Sequence, residues 1–160
     1  MWGQTRLQNG FCIDTCALLD LDPYFREIFH TFWEDMGKLV RDGLLIAPIE
    51  VYREIGREYD GDIQRWTKEH MDMFIELDDD QIKEVKAIME NFEDLIDSNK
   101  TIPDADPFLI GLAKSRGNWT VVTSEKPSTN LRPKIPDVCK ALEIPCMDLY
   151  NFFIQAGFKY

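Results

Sequence analysis

Long apolar runs are missing from this chain. None approaches the about 20 residues that a membrane-spanning helix needs, and the head from Met1 to Gly10 lacks the apolar core of a signal peptide. A soluble, cytoplasmic protein with no membrane association is expected. Histidine is scarce: His30 and His70 are the only two, and both lie far in sequence from Cys12, Cys16, Cys139 and Cys146. With no CxxC pair among the four cysteines, a structural zinc site is not expected, and the thiols read as reduced and mostly buried. The chain also lacks a glycine-rich phosphate loop, a G-x-S-x-G elbow and a histidine placed as general base, which sets aside several common enzyme classes. Positive charge is short as well. Against 29 Asp and Glu stand 18 Lys and Arg, and a net charge of −11 argues against a protein that coats nucleic acid non-specifically.

What remains is a chain of 160 residues, 44% of them hydrophobic, enough for the core of one domain spanning residues 1–160. Its charge is uneven. Residues 1–99 carry 10 basic against 23 acidic side chains, whereas residues 100–140 carry 7 against 4. Positive charge therefore gathers in the segment that also holds Asp104, Asp106 and Pro107, two carboxylates just ahead of the apolar run Phe108–Ala113. Pro107 suits the first turn of a helix, where its missing N–H has no partner to lose. The simplest role for Asp106 and Asp104 there is helix capping and complementing the helix dipole.

Taken in order, Phe11-Cys12-Ile13 reads as a buried strand ending at Asp14. Asp22-Pro23 reads as a helix start, with Tyr24, Phe25, Ile28, Phe29, Phe32, Trp33, Met36, Leu39 and Val40 on its core face and Asp42-Gly43 at its end. Leu44–Ala47 is a second strand, ended by Pro48, and a helix carrying Glu50 and Glu54 follows. The acidic section 58–97 reads as two helices. The first turns Ile63, Trp66, His70, Met73 and Phe74 inward; the second starts at Asp78-Asp79-Asp80 and turns Ile82, Val85, Ile88, Met89, Phe92, Leu95 and Ile96 inward. The aspartate run lacks the alternating ligands, central glycine and closing glutamate of a calcium loop. After Arg116-Gly117-Asn118 stops the next helix, Trp119–Thr123 is a strand followed by Ser124, Glu125 and Lys126. Residues 126–136 form a proline-rich loop carrying Arg132 and Lys134. A helix from Ile135 through Leu142, a short strand at Ile144–Met147 and a helix at Leu149–Ala156 close the chain.

This alternation predicts an α/β fold: a three-layer α/β/α sandwich with a central, mainly parallel sheet. Ligands in such sheets bind beyond the C-terminal strand ends, where strand order switches. Asp14, Glu54, Asp106 and Glu125 all fall near that edge. Two carboxylates at about 4 Å cost roughly 4 kcal/mol at an effective dielectric near 20, so either protons or a hard cation must offset the crowding. Oxygen ligands favour Mg²⁺ or Mn²⁺ over zinc, and such an ion suits phosphodiester hydrolysis. Thr123 and Ser124 are placed to hold water or a phosphate oxygen, and Lys126 to meet the scissile phosphate. Asp104 and Glu50 are carboxylates of second rank.

Phe11-Cys12-Ile13-Asp14-Thr15, Glu54 within Val51–Ile55, Ala105–Ala113, and Val121-Val122-Thr123-Ser124-Glu125 resemble, in order, the four acidic motifs of the PIN domain. The closing Lys134–Cys139 and Ile144-Pro145-Cys146 resemble a prokaryotic PIN-like branch related to VapC-type toxins. The resemblance implies an endoribonuclease dependent on Mg²⁺ or Mn²⁺, with Asp14, Glu54 and Asp106 as metal ligands. The fourth position, commonly aspartate, is here Glu125. It also implies partners: an RNA substrate, an antitoxin protein and a second copy of the chain, with the acidic section 58–97 or the head as contact surfaces. Two other readings are open. One is a haloacid-dehalogenase-type phosphatase with Asp14 as nucleophile, although Cys16 stands where that group expects a second acid. The other is a non-catalytic PIN-like RNA-binding or assembly module.

Overall fold

A computed structural model of the protein describes residues 9–95 and 104–160. At its centre is β1 (Phe11–Ile13), a strand buried at all three residues. Successive side chains of a strand point to opposite faces, and here Phe11 and Ile13 enter one core while Cys12 enters another. The chain lays β2 (Leu45–Pro48) on one flank of β1 and β3 (Phe74–Ile75) beyond it. It then returns to place β4 (Thr120–Val122) on the other flank, with β5 (Cys146–Met147) outside. The order is β3-β2-β1-β4-β5, every pairing is parallel, and Phe11 stands opposite both Leu45 and Thr120.

Helices cover both faces. On one, α1 (Thr15–Leu19), α2 (His30–Arg41), α3 (Ile49–Glu58), α4 (Asp62–Glu69) and α8 (Leu149–Ala156) contribute Leu18, Phe32, Met36, Val51, Ile55, Trp66 and Phe152 to the core. On the other, α5 (Asp79–Asn91), α6 (Asp106–Ser115) and α7 (Ile135–Ala141) contribute Ile88, Leu109, Leu112 and Val138. This is the α/β architecture expected, consistent with the three-layer sandwich. The α5 and α6 backbones approach closely at Gly111, where an added Cβ would lie 2.7 Å from Val85 Cγ2. Among the described residues no helix is long and apolar enough to cross a membrane. Strand order switches between β1 and β4, so the crevice for a ligand opens beside Asp14 and the residues that follow Val122.

Several local expectations are corrected. No helix starts at Asp22-Pro23: residues 20–29 form a series of turns, and α2 begins only at His30. The Tyr24 carbonyl, which a helix would have paired internally, instead accepts the Trp33 indole N–H at 2.6 Å. Phe25, Ile28 and Phe29 are consequently exposed rather than core-facing. Met73 and Phe74 do not extend the first acidic helix. A single 3₁₀ turn leads into β3, where Phe74 pairs with Ala47 and Ile75 with Pro48, so the proline ends β2 from within the ladder. Met89 is partly exposed on α5, whose N-cap is Asp78 accepting from the Gln81 N–H. The inward role of Ile96, the position of Pro103 and the head up to residue 8 as a partner surface lie outside the described residues.

Candidate active site

Asp14 occupies the first turn off the central strand. Its N–H continues the ladder to the Val122 carbonyl at 3.0 Å, and its extended backbone makes it the N-cap of α1, with Oδ1 accepting the Ala17 N–H at 3.0 Å. Oδ2 receives the Thr123 hydroxyl and, at 3.2 Å, the Cys16 thiol. Burial pushes the Asp14 carboxyl above its usual range, and the donors from Cys16, Thr123 and Ala17 pull it partly back. Thr123 is committed twice, since its Oγ also accepts the Glu125 N–H at 3.1 Å. Cys16 was not foreseen as part of the site. Burial first, then the Asp14 charge, push its thiol up to about 12, so it stays protonated and donates. Its only signal in the sequence is its spacing, two residues past Asp14.

Glu54 rises from the second turn of α3, half-buried, and its Oε2 accepts the Ala105 N–H at 3.2 Å. That bond ties α3 to the start of α6. Burial raises its carboxyl, the Ala105 N–H lowers it, and Glu58 and Asp104 raise it. Asp106 is the first residue of α6, followed by Pro107. Ala105, not Asp106, stands at the N-cap, and Asp106 is the acidic residue of the first turn. The Asp106 carboxyl is pushed up to about 8, first by burial and then by the charges of Glu125, Asp14, Glu54 and Asp104. Glu125 reaches forward from the end of β4, and its Oε2 accepts the Ile135 N–H at 3.0 Å. Burial raises its carboxyl, the Ile135 N–H lowers it, and Asp14 raises it again. The extra methylene relative to aspartate thus serves a bond to the start of α7.

Glu54, Asp104, Asp106 and Glu125 line one cavity of about 330 Å³ together with Leu95, Asn130, Arg132, Pro133 and Lys134. Asp14 and Thr123, both buried, are not in that lining. Other candidates stand apart. Glu50, one turn back on α3, is raised by burial, lowered by Arg53 and raised by Glu76, and its Oε2 is buried without a hydrogen-bond partner among the described residues. Ser124 is half-buried beside the Cys16 thiol and outside the lining. Lys126 is exposed and also outside it; its charge acts on Asp148, whose carboxyl is held low chiefly by the Asn151 N–H.

The donor set is all oxygen, comes from four separate elements and repels itself, which fits a hard divalent cation. Among the described residues no group of three His, Cys, Asp or Glu side chains is already closed around a point that could hold an ion. As they stand, the carboxylates crowd without converging, and a proton on Asp106 offsets part of the repulsion. Asn130, Arg132 and Lys134 were not foreseen as lining residues. The concentration of basic charge in residues 100–140 pointed to them only by neighbourhood.

A family model described as "Domain of unknown function (DUF4411)" matches residues 11–160. No curated protein matches the chain.

Proposed function

The chain belongs to the DUF4411 family, and on the chemistry of its carboxylate cluster we propose that it is a metal-dependent endoribonuclease of PIN type, hydrolysing RNA phosphodiester bonds. The observation that carries this reading is the gathering of Glu54, Asp104, Asp106 and Glu125 around one cavity at the switch in strand order, where these carboxylates and Asp14 together raise the Asp106 carboxyl. Mg²⁺ or Mn²⁺ held by Asp14, Glu54, Asp106 and Glu125, with Asp104 in support, would supply charge neutralisation, polarisation of a phosphoryl oxygen and a more acidic water.

The chain's own residues prepare that chemistry. Thr123 and Cys16 donate to Asp14 Oδ2 and fix the carboxylate while Ala17 holds its other oxygen. Thr123 is therefore a positioning residue, acting through Asp14. Burial and the neighbouring carboxylates favour a proton on Asp106, and a cation held there would displace it, coupling ion uptake to proton release. Lys134 and Arg132 supply positive charge in the lining, which a polyanionic substrate needs in order to approach four carboxylates. On the PIN resemblance, an antitoxin protein or a second copy of the chain is proposed as partner.

A second reading, a non-catalytic RNA-binding or assembly module, is favoured by one observation: the described carboxylates do not close around a common point. Titration with Mn²⁺ and assay on single-stranded RNA separate the two. The nuclease reading predicts Mn²⁺-dependent cleavage that Asp14→Asn abolishes. Binding of RNA with neither Mn²⁺ uptake nor cleavage would establish the module instead.

A further inference from the structure

The cavity has a cationic wall as well as an acidic floor, and the wall is built rather than loose. Between Glu125 and α7 the chain carries no regular secondary structure, yet two carboxylates fasten it. Asp137, in the first turn of α7, accepts both the Ser128 N–H at 2.9 Å and the Lys134 N–H at 2.8 Å on its Oδ2. Glu125 takes the Ile135 N–H. Within the segment, Asn130 Oδ1 accepts the Arg132 N–H at 2.8 Å and the Ser128 hydroxyl at 3.0 Å. The Arg132 Nε–H donates to the Asp94 carbonyl at 3.0 Å, anchoring the guanidinium to the 3₁₀ turn Glu93–Leu95 that follows α5.

The outcome is that Arg132 and Lys134 are exposed, line the same cavity as Glu54, Asp106 and Glu125, and form no ion pair among the described residues. The Lys134 charge acts on Glu125 and Asp137, and two cations beside a cluster of carboxylates would ordinarily collapse onto them. Here the backbone bonds to Asp137 and the Nε bond to Asp94 hold the segment in place. Among the described residues Arg132 commits one of its five N–H donors, to the Asp94 carbonyl, which leaves a fork of the kind that grips a phosphate.

We propose that the segment from Ser128 to Lys134 is the phosphate-binding wall of the cleft, with Arg132 and Lys134 meeting backbone phosphates of the RNA and Asp137 as the positioning residue that holds them there. This deepens the nuclease reading and rests on it. The wall, rather than Lys126 beside Asp148, carries the substrate's charge past the carboxylates.

The test is steady-state cleavage of a fluorophore-labelled single-stranded RNA oligonucleotide by the full chain in Mn²⁺ at several salt concentrations, with Mn²⁺ affinity measured separately by calorimetry. Arg132→Ala and Lys134→Ala are each expected to raise KM about tenfold, to leave kcat within about twofold, and to flatten the log–log salt slope by about 0.7 per lost phosphate contact. Mn²⁺ affinity should be unchanged or higher, since a cation has been removed. Asp137→Ala should raise KM and flatten the slope in the same way, and Asp137→Asn, which keeps an oxygen acceptor, should recover most of both. Unchanged KM in both cation variants, or a KM rise confined to Lys126→Ala, overturns the wall while cleavage by the unsubstituted chain leaves the nuclease reading standing. Absence of Mn²⁺-dependent cleavage by the unsubstituted chain overturns both.

Discussion

Replacing Asp106 by asparagine should stabilise the ion-free protein at alkaline pH, although it removes a charged side chain from the site. In the folded chain this carboxyl is raised from 3.8 to about 8. Below pH 4 both folded and unfolded states carry its proton, and the native state keeps its full stability. As pH rises from about 4 to about 8, the unfolded chain gives up the proton and the native chain retains it, so stability falls; above about 8 both are ionised and the loss is complete. At about 1.4 kcal/mol per pH unit, the whole span amounts to roughly 6 kcal/mol as a ceiling, because neighbouring carboxylates share the proton. Even half of that moves the melting temperature of a chain this size by roughly 6–12 °C. Urea denaturation in EDTA at pH 5 and pH 8 reads the effect directly. The unsubstituted chain should lose stability between the two, Asp106→Asn should lose about one proton's worth less, and Mn²⁺ should restore the unsubstituted chain at pH 8. Identical slopes in the two proteins would refute the crowding from which the site is inferred.

Further expectations concern single contacts. Glu125→Gln keeps an oxygen for the Ile135 N–H but removes the charge acting most strongly on Asp106, so the Asp106 titration followed by NMR should move to a midpoint below about 8; an unmoved midpoint would place Glu125 too far away to matter. Thr123→Val deletes the hydroxyl donor to Asp14 and should weaken Mn²⁺ binding about tenfold or more, with Thr123→Ser near the starting value. Equal affinities in the two variants would show that Asp14 needs no such support. Gly111→Ala puts a methyl 2.7 Å from Val85 Cγ2 and should cost about 1–3 kcal/mol in thermal denaturation, whereas no loss would mean α5 and α6 can separate freely.

The layers of the fold were readable from the sequence because β1, β2 and β4 are short apolar runs flanked by helical periods, and Asp14 could be placed at a sheet edge for the same reason. The edge strand β3 was not. Two residues cannot show an alternation, and Phe74 sits in step with the helical pattern before it. The stretch 24–29 misled in the opposite way: its aromatic spacing is helical, but a distant indole takes the Tyr24 carbonyl and turns replace the helix. At the site, the proximity of Glu54, Asp106 and Glu125 follows from topology, which residue order reveals once the sheet is recognised. The wall formed by Asn130, Arg132 and Lys134 depends on backbone N–H groups reaching Asp137 and Glu125, and no local pattern encodes such a bond. The same holds for Cys16, whose role depends on Thr123 arriving from the next strand.

The most direct test of a metal-dependent site is a crystal of the protein soaked in Mn²⁺ and measured at the manganese absorption edge. The account predicts an anomalous peak bounded by carboxylate oxygens of Asp14, Glu54, Asp106 and Glu125, lost in Asp106→Asn. Manganese absent from that cleft at saturating concentration, or bound equally well without Asp106, would contradict it.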